Sequence, residues 1–480
     1  MRLIDVVTFL DLDAGNTGPD AQLLVEFNGP KLANVAYATL SHCWGDPEDE
    51  VHYTEMDSLT KMDLAARGKM RERGGYHKIR ESCLQARRDD LLWLWVDTCC
   101  IDKRSSAEFS EAINSMYVRY ENSDRCYAFL HDVDTDALPT KPDNHKFNKS
   151  NGWPKWFSSG WTLQELIAPK DVRFFNQNWE YIASKRGSAR VLSGITRIPV
   201  NVLQEGFSRS STSVAQIMSW AADRTTTREE DRAYSLLGLL GMHMSILYGE
   251  GKNTFLRLQL GVKRTTDDQS ISAWSRTEET GSAGGFLAND PDSFQFRDCS
   301  SVVQIEPNDM LRILERHFSK RQLRKLAFFA EERLLRTFAI THMGGIQTWL
   351  PLKSKRRSGD SEFFSVMLAC YNLERGGRKD PVTITIRQFN GIPSKHLSSP
   401  RAVEDRTTSF EFKSILLPYR NNIDQPNIMR GPSRMQACSD LPGDVTVNLA
   451  GPLQILLEDI KDDNVIVVLG AAGSGKSKVG

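Results

Sequence analysis

Trp93-Leu94-Trp95-Val96-Asp97-Thr98-Cys99-Cys100-Ile101-Asp102-Lys103, followed at once by Ser105 to Tyr120, decides the fold class of this chain. Leu91 to Val96 is an almost unbroken apolar run, the pattern of a strand covered on both faces, and polarity returns abruptly at Asp97. Asp97, Thr98 and Asp102 are therefore expected at the carboxyl edge of a sheet, where open α/β folds build their sites. Trp93 and Trp95 alternate onto one strand face and are expected in the core. Ser105 and Glu108 have capping-box spacing, and Phe109, Ile113, Met116 and Tyr120 then recur on one face of a helix.

Upstream, Val35 to Ser41 reads as a strand that runs into the polar, aromatic loop Ser41-His42-Cys43-Trp44-Gly45. Lys78 to Arg88 reads as a short helix, Arg125 to Leu130 as a third strand ending at His131-Asp132, and Asp171 to Phe175 as a fourth. Strands alternating with helices across residues 35–175 predict a parallel sheet with right-handed crossovers. Thr135 to Lys155, polar and proline-containing, is expected as a long surface loop. Neighbours on an extended strand point to opposite faces, so His42 and Cys43 read as residues of the sheet edge and not as a thiol–imidazole pair. Asp97 and Asp102 read first as loop-capping carboxylates, with ribose or metal binding as the alternative.

From Val214 the pattern turns helical. Val214, Ile217, Met218 and Ala221 share one face, as do Ala233, Leu236, Leu237 and Leu240 in the next element, which Thr227 and Glu230 are expected to cap. Glu229, Glu230 and Asp231 form an acidic first turn there. A third helix is expected from Glu250 through Val262, and Lys263 to Gly285, rich in Ser, Thr, Asp and Gly, reads as a boundary. The chain then changes character. Phe338 to Leu352 forms two apolar runs around Gly344-Gly345, a hairpin signal, and Val382 to Arg387 alternates as a half-exposed strand does. Lys353-Ser354-Lys355-Arg356-Arg357 between them reads as a solvated loop in preference to a nuclear signal. The expected organisation is an α/β domain over residues 1–280, with its core at about 35–180 and a helical extension at about 210–262. A β-rich domain at 286–420 and a linker at 421–459 follow.

A chain of 480 residues predicts two or three domains. Lys plus Arg and Asp plus Glu each number 61, so no global field draws it to nucleic acid or an anionic membrane. The eight cysteines show no metal-ligand spacing, which disfavours zinc and a disulfide framework. Met1 to Leu12 lacks the apolar core of a signal peptide, and no segment has the length of a spanning helix, so a cytoplasmic protein is expected.

A separate signal lies at residues 460–480. Asn464 to Leu469 reads as an apolar strand leading into Gly470-Ala471-Ala472-Gly473-Ser474-Gly475-Lys476-Ser477, the phosphate-binding P-loop pattern. Backbone amides at Gly470, Gly473, Ser474 and Gly475 would wrap the phosphates of ATP or GTP. Lys476 would reach the terminal ones, and Ser477 would hold magnesium. With Gly480 three residues on, the element reads as the truncated start of a nucleoside-triphosphatase domain, or the sequence as the N-terminal fragment of a longer protein.

Six blocks resemble the fungal heterokaryon incompatibility (HET) domain. They are Tyr37-Ala-Thr-Leu-Ser-His-Cys-Trp-Gly45, Gly75-Tyr-His-Lys-Ile-Arg80, Trp95-Val-Asp-Thr-Cys-Cys-Ile-Asp-Lys103 and Ser110-Glu-Ala-Ile-Asn-Ser-Met116. The last two are Gly160-Trp-Thr-Leu-Gln-Glu-Leu-Ile-Ala-Pro169 and Thr226-Thr-Arg-Glu-Glu-Asp-Arg-Ala-Tyr-Ser-Leu-Leu-Gly238. The resemblance implies a filamentous fungal source and a role in non-self recognition and the cell death that follows fusion of incompatible hyphae. It implies self-association through the HET domain, an unidentified non-self or signalling protein partner, and a HET-associated role for the β-rich region. The HET family is in turn distantly similar to the TIR domain, a flavodoxin-like parallel-sheet fold, some members of which hydrolyse NAD. Glu165 matches the position of the glutamate that is catalytic in those members. Trp161, four residues earlier on the same helical face, is expected to desolvate Glu165 and to offer a stacking surface, with Asp97 as a pocket wall. Against this stand Glu165 as a capping or ion-pairing helix residue, a non-catalytic signalling module, and a P-loop NTPase.

Overall fold

The computed structural model describes residues 1–16, 20–148, 150–274, 287–295, 301–305, 309, 312, 338–340, 345–358, 361–373, 379–389, 392–396 and 411–418. All of them fall in the unit Met1–Asn422. The residues of the expected linker and the P-loop, Gly470 to Ser477, lie outside the described residues.

The first sheet has seven strands: β1 (Arg2–Asp5), β2 (Leu24–Glu26), β3 (Ala38–His42), β4 (Trp93–Trp95), β5 (Arg125–Phe129), β6 (Val172–Phe175) and β7 (Tyr181–Ser184). Their order is β2-β1-β4-β3-β5-β6-β7. The four central strands are parallel, β3 lying between β4 and β5, with β6 beyond β5. The chain therefore steps from β3 to β4 on one side and then crosses to β5 and β6 on the other. That reversal beside β3 is a topological switch point.

The sheet is mixed, where the sequence pattern predicts a parallel one. β1 and β2 add antiparallel at one edge and β7 at the other. Leu3 and Ile4 are too short an apolar run to signal a strand alone; they become one because β4 offers a free edge, where Ile4 lies opposite Leu94. All five residues of β3 and four of five in β5 are buried, as strands covered on both faces must be. Each aliphatic side chain so buried contributes about 1.5–3 kcal/mol.

The helix Gly74–Arg88 buries Tyr76, Ile79, Cys83 and Ala86, and the helix Ser106–Glu121 buries Ile113, Met116 and Tyr120 as its spacing predicts. Ser105 accepts from the Glu108 amide at 3.3 Å, but the return half of the capping box is not made: Glu108 Oε1 takes the Asp102 amide at 2.9 Å and pairs with Arg2. Trp95 is fully buried against the edge of Tyr120, whereas Trp93 is half-buried against Phe27.

The helix expected around Ala233 to Leu240 is α-helical only over Asp231–Tyr234, with turns beyond. Apolar spacing misleads there because Tyr234, Leu236, Leu237 and Leu239 are all fully buried, so no solvent face exists to fix a helical period. Glu230 does not cap this turn with its side chain; its carboxylate accepts from the amides of Gly249 at 2.7 Å and Gly251 at 3.0 Å. Helices Val214–Ala221, opened by a Ser213–Gln216 capping box, and Asn253–Thr265 complete the extension.

The second sheet is antiparallel, with β8 (Val302–Gln304), β9 (Phe338–Ile340), β10 (Gly345–Ser358), β11 (Ser361–Leu373), β12 (Lys379–Phe389), β13 (Ile392–His396) and β14 (Glu411–Pro418). β9 and β10 pair with Ile340 opposite Ile346, as the two apolar runs predict. Lys353 to Arg357 is not a loop but the end of β10, paired with β11 across a register shift between Ser354 and Arg356; its run of charge imitates loop composition. The sheet joins the helical extension through Gln269 Oε1, which accepts the Ala369 amide at 2.7 Å, and Ser213, whose hydroxyl reaches Val302 O at 2.6 Å. Among the described residues no helix is long and apolar enough to cross a membrane.

Candidate functional site

The carboxyl ends of β3, β4 and β5 converge at the switch point. His42 closes β3 and Cys43 and Trp44 follow it, Asp97 comes after β4, and His131 and Asp132 after β5. A cavity of about 640 Å³ opens there, its lining including His42, Trp44, Asp97 and Lys103 together with Trp161, Glu165, Arg228 and Asp231. Five buried polar atoms in this region, His42 Nδ1 and Nε2, Asp97 Oδ1, Thr98 Oγ1 and Asp132 Oδ1, have no hydrogen-bond partner among the described residues. Folded proteins pair nearly all such atoms, so their clustering at three adjacent strand ends marks a place built for a ligand or water.

Glu165 sits on the short helix Thr162–Ile167, which is fastened at both ends. At its start Arg224 donates to Ser159 O at 2.9 Å and to Thr162 Oγ1 at 3.1 Å. At its end the buried Lys185 ammonium reaches the carbonyls of Leu166 at 3.2 Å, Ile167 at 3.4 Å and Pro169. Six residues are too few to hold a helix alone; Lys185 takes up carbonyls at its C-terminal end, while Arg224 ties its first residue to the preceding Ser159 carbonyl, and together they fix its place. Burial lowers the Lys185 pKa to about 8 and that of Arg224 to about 9.

The Glu165 carboxyl is 5% exposed and turned to the sheet. The Ser41 hydroxyl donates to its Oε2 at 2.5 Å and itself accepts from Trp156 Nε1 at 2.8 Å. Burial, and next the charge of Asp97, raise the Glu165 pKa to about 8 against the opposing hydrogen bonds of Ser41 and Tyr120. The Glu165 carboxyl is therefore mostly protonated at neutral pH. Trp161 precedes the helix and lines the same cavity, but its indole is turned to Asp231, and the groups bonded to the Glu165 carboxyl come from β3 and Tyr120.

Asp97 is not the loop cap that the sequence predicts. Asp102 has that role, accepting the Arg104 amide at 3.1 Å. Asp97 Oδ2 instead accepts the Trp44 indole N–H at 2.9 Å, and Lys103 Nζ stands 3.6 Å from the centre of the same ring. Trp44 is 48% exposed, so a large flat ring is held at the cavity mouth by an acceptor on its edge and a cation on its face. Lys103 is lowered by burial, which Asp97 opposes.

His42 and Cys43 do not act as a pair. Burial pushes the Cys43 thiol up to about 12, so it keeps its proton. His42 Nε2 instead lies 3.6 Å from Glu50 Oε2. Glu50 also accepts the Gly45 amide at 2.7 Å and pairs with Lys78; burial raises its carboxyl, but His42, Lys78 and that amide outweigh it and hold the pKa well below the usual range.

The cavity thus gathers three residues singled out from the sequence, Glu165, Trp161 and Asp97. Ser41 and Trp44 stand in a quoted motif, but nothing local in the sequence marks them as partners of Glu165 and Asp97. Tyr120 was legible only as core, and Arg224 and Lys185 carry no local signal at all.

An α/β sheet with a polar crevice at its switch point is the class of protein these features define, and residues 37–153 match the family described as Heterokaryon incompatibility protein (HET). That span contains Ser41, Trp44, Asp97 and Tyr120; Trp161 and Glu165 lie beyond it. The chain is 41% identical over 263 residues to the Vegetative incompatibility protein HET-E-1 of Podospora anserina, across 54% of this chain and 18% of that protein. The chain therefore spans under a fifth of that relative's length. No solved structure matches the chain.

Proposed function

We propose that this chain is the effector part of a fungal vegetative incompatibility system, and that its cavity cleaves the nicotinamide–ribose bond of NAD. The incompatibility role is supported by the HET match and by the similarity to HET-E-1. The chemical reading rests on one observation: a buried carboxyl, Glu165, with its pKa raised to about 8 and the Ser41 hydroxyl on its Oε2, in a cavity at the switch point.

The pyridinium of NAD brings a positive charge, which favours the carboxylate of Glu165 as substrate enters and its proton leaves to solvent. The C1′–N bond then breaks with its electron pair going to the nicotinamide nitrogen. Positive charge develops on the ribose, and the Glu165 carboxylate stabilises it. Water adds its oxygen to C1′ and releases a proton, giving ADP-ribose and nicotinamide. Asp97 Oδ1, buried and unpartnered, is suited to accept from a ribose hydroxyl, and Trp44 offers a face for a planar base.

Self-association of the domain and a cytoplasmic location go with this reading, as does a nucleotide-dependent P-loop domain binding ATP or GTP with magnesium through Lys476 and Ser477. The alternative is a non-catalytic signalling module that kills through partner recruitment. Expression of the full chain in yeast separates the two: cell death with a fall in cellular NAD that Glu165→Gln abolishes supports the enzyme. Death that persists in Glu165→Gln without NAD loss favours the module.

A further inference from the structure

A second cavity, of about 630 Å³, lies over the edge formed by β5, β6 and β7 and holds a different charge pattern. Its wall contains Arg125, Lys170, Arg173 and Arg186 against a single carboxylate, Asp171. The switch-point cavity, by contrast, sets three carboxyl groups, Asp97, Glu165 and Asp231, among the cations Lys103, Lys155 and Arg228. In a chain with 61 residues of each sign, four cations around one acid is a local surplus.

Two of these cations are fixed in place. Arg173 Nη1 donates to Asp89 Oδ1 at 2.8 Å and its Nε lies 3.5 Å from Asp171, while Arg125 Nη1 pairs with the same Asp171. Asp89 is itself held by the Tyr127 hydroxyl at 2.8 Å. Arg125 is held through one nitrogen and Arg173 through two, and each guanidinium carries five N–H donors, so both keep N–H groups for an acceptor in the cavity, the arrangement that suits phosphate oxygens. Arg186 and Lys170 bring exposed charge to the same wall, Arg186 with its Nε on Gln204 O at 2.8 Å. Tyr181, 57% exposed and edge-on to Phe175, adds an aromatic face beside them.

We propose that this cavity binds a nucleotide, its phosphates on Arg125, Lys170, Arg173 and Arg186 and its base against Tyr181. The site is separate from the switch-point cavity, and it does not depend on the reaction assigned there.

Calorimetry on the full chain carrying Lys476→Ala, which silences the P-loop, tests it with magnesium-free ATP and with inorganic pyrophosphate. Both ligands bind, and Lys170→Glu with Arg186→Glu weakens both by more than about tenfold, since two attractive charges become repulsive. These side chains are exposed, and an unchanged melting temperature shows that the fold is kept. Tyr181→Ala weakens ATP and leaves pyrophosphate unchanged. Absence of binding, equal binding by the charge-reversed variant, or a phosphopeptide that binds more tightly than ATP overturns the proposal.

Discussion

Ser41, near the end of β3, donates its hydroxyl to Glu165 Oε2 at 2.5 Å, joining residues 124 apart in the chain. Ser41 Oγ also accepts the Trp156 indole N–H, so one small side chain ties the strand to two helical segments. Ser41→Ala leaves both partners short of a hydrogen bond in a buried place and lowers stability by about 1–3 kcal/mol. Because the Ser41 bond favours the charged carboxylate, its loss moves the Glu165 pKa further up. Urea unfolding measures the first effect, and a shift to higher pH in the rising limb of kcat/KM measures the second.

Glu165 itself makes stability depend on pH. Its folded pKa of about 8 exceeds the ordinary value of 4.5, so between these the native state holds a proton that the unfolded chain has released. The stabilisation is fully present below pH 4.5 and is lost as pH rises towards 8, by up to about 1.4 kcal/mol per pH unit. Glu165→Gln removes this slope. Melting temperatures across pH 5 to about pH 8 are expected to converge at the acid end and to favour the variant at the alkaline end.

The Glu50 cluster runs the other way. Held well below its ordinary value of 4.5, Glu50 contributes stability present above that pH and lost as pH falls through its folded value. Glu50→Gln leaves the buried Lys78 ammonium and His42 without their carboxylate, at a cost of about 3–5 kcal/mol near neutrality. Denaturation at pH 7 and again in acid is expected to show the difference shrinking as wild-type Glu50 protonates.

The fold was legible where local pattern and long-range packing agree. The β4 run, its abrupt polar end and the helix after it form as the sequence predicts, because double-sided burial leaves a short unbroken apolar run and one apolar helical face leaves a period. β1 was not legible, since Leu3 and Ile4 gain strand character only from the edge of β4. Ala233 to Leu240 misled because burial on all sides erases the period. In the site, Glu165 and Trp161 were reached through a motif, whereas the Ser41 contact depends on which strand lies beside which helix. Lys185 acts on carbonyls at the end of the Glu165 helix and Arg224 on the Ser159 carbonyl just before it, and a carbonyl leaves no mark in a sequence.

Two glycines in the motifs are there for space. A Cβ on Gly238 would stand 2.0 Å from Tyr117 Cβ, and one on Gly160 would stand 2.6 Å from Thr226 Cγ2. Gly238→Ala is expected to destabilise by about 1–3 kcal/mol or more, because the obstacle is the root of a buried tyrosine. Gly160→Ala has a threonine methyl as its one contact under 3 Å, with Ser235 Oγ next at 3.4 Å, and is expected to be milder. Thermal melts of the two variants rank them.

Trp44 is expected to matter for binding and little for stability. It is half exposed, and its partners Asp97 and Lys103 stand at the cavity mouth. Trp44→Ala should raise KM for NAD by about tenfold through lost stacking, with kcat and melting temperature nearly unchanged. Trp44→Phe, which keeps a ring, should recover most of the loss. Steady-state kinetics on both variants checks this.

Release of nicotinamide from NAD by the purified full chain, followed by proton NMR, tests the central claim most directly. The account predicts that nicotinamide and ADP-ribose appear in equal amounts, that kcat/KM rises with pH to a plateau above about 8, and that Glu165→Gln lowers the rate by at least about a hundredfold with the fold intact. Nicotinamide release that is unchanged in Glu165→Gln, or no release from a self-associated, folded and toxic chain, would contradict it.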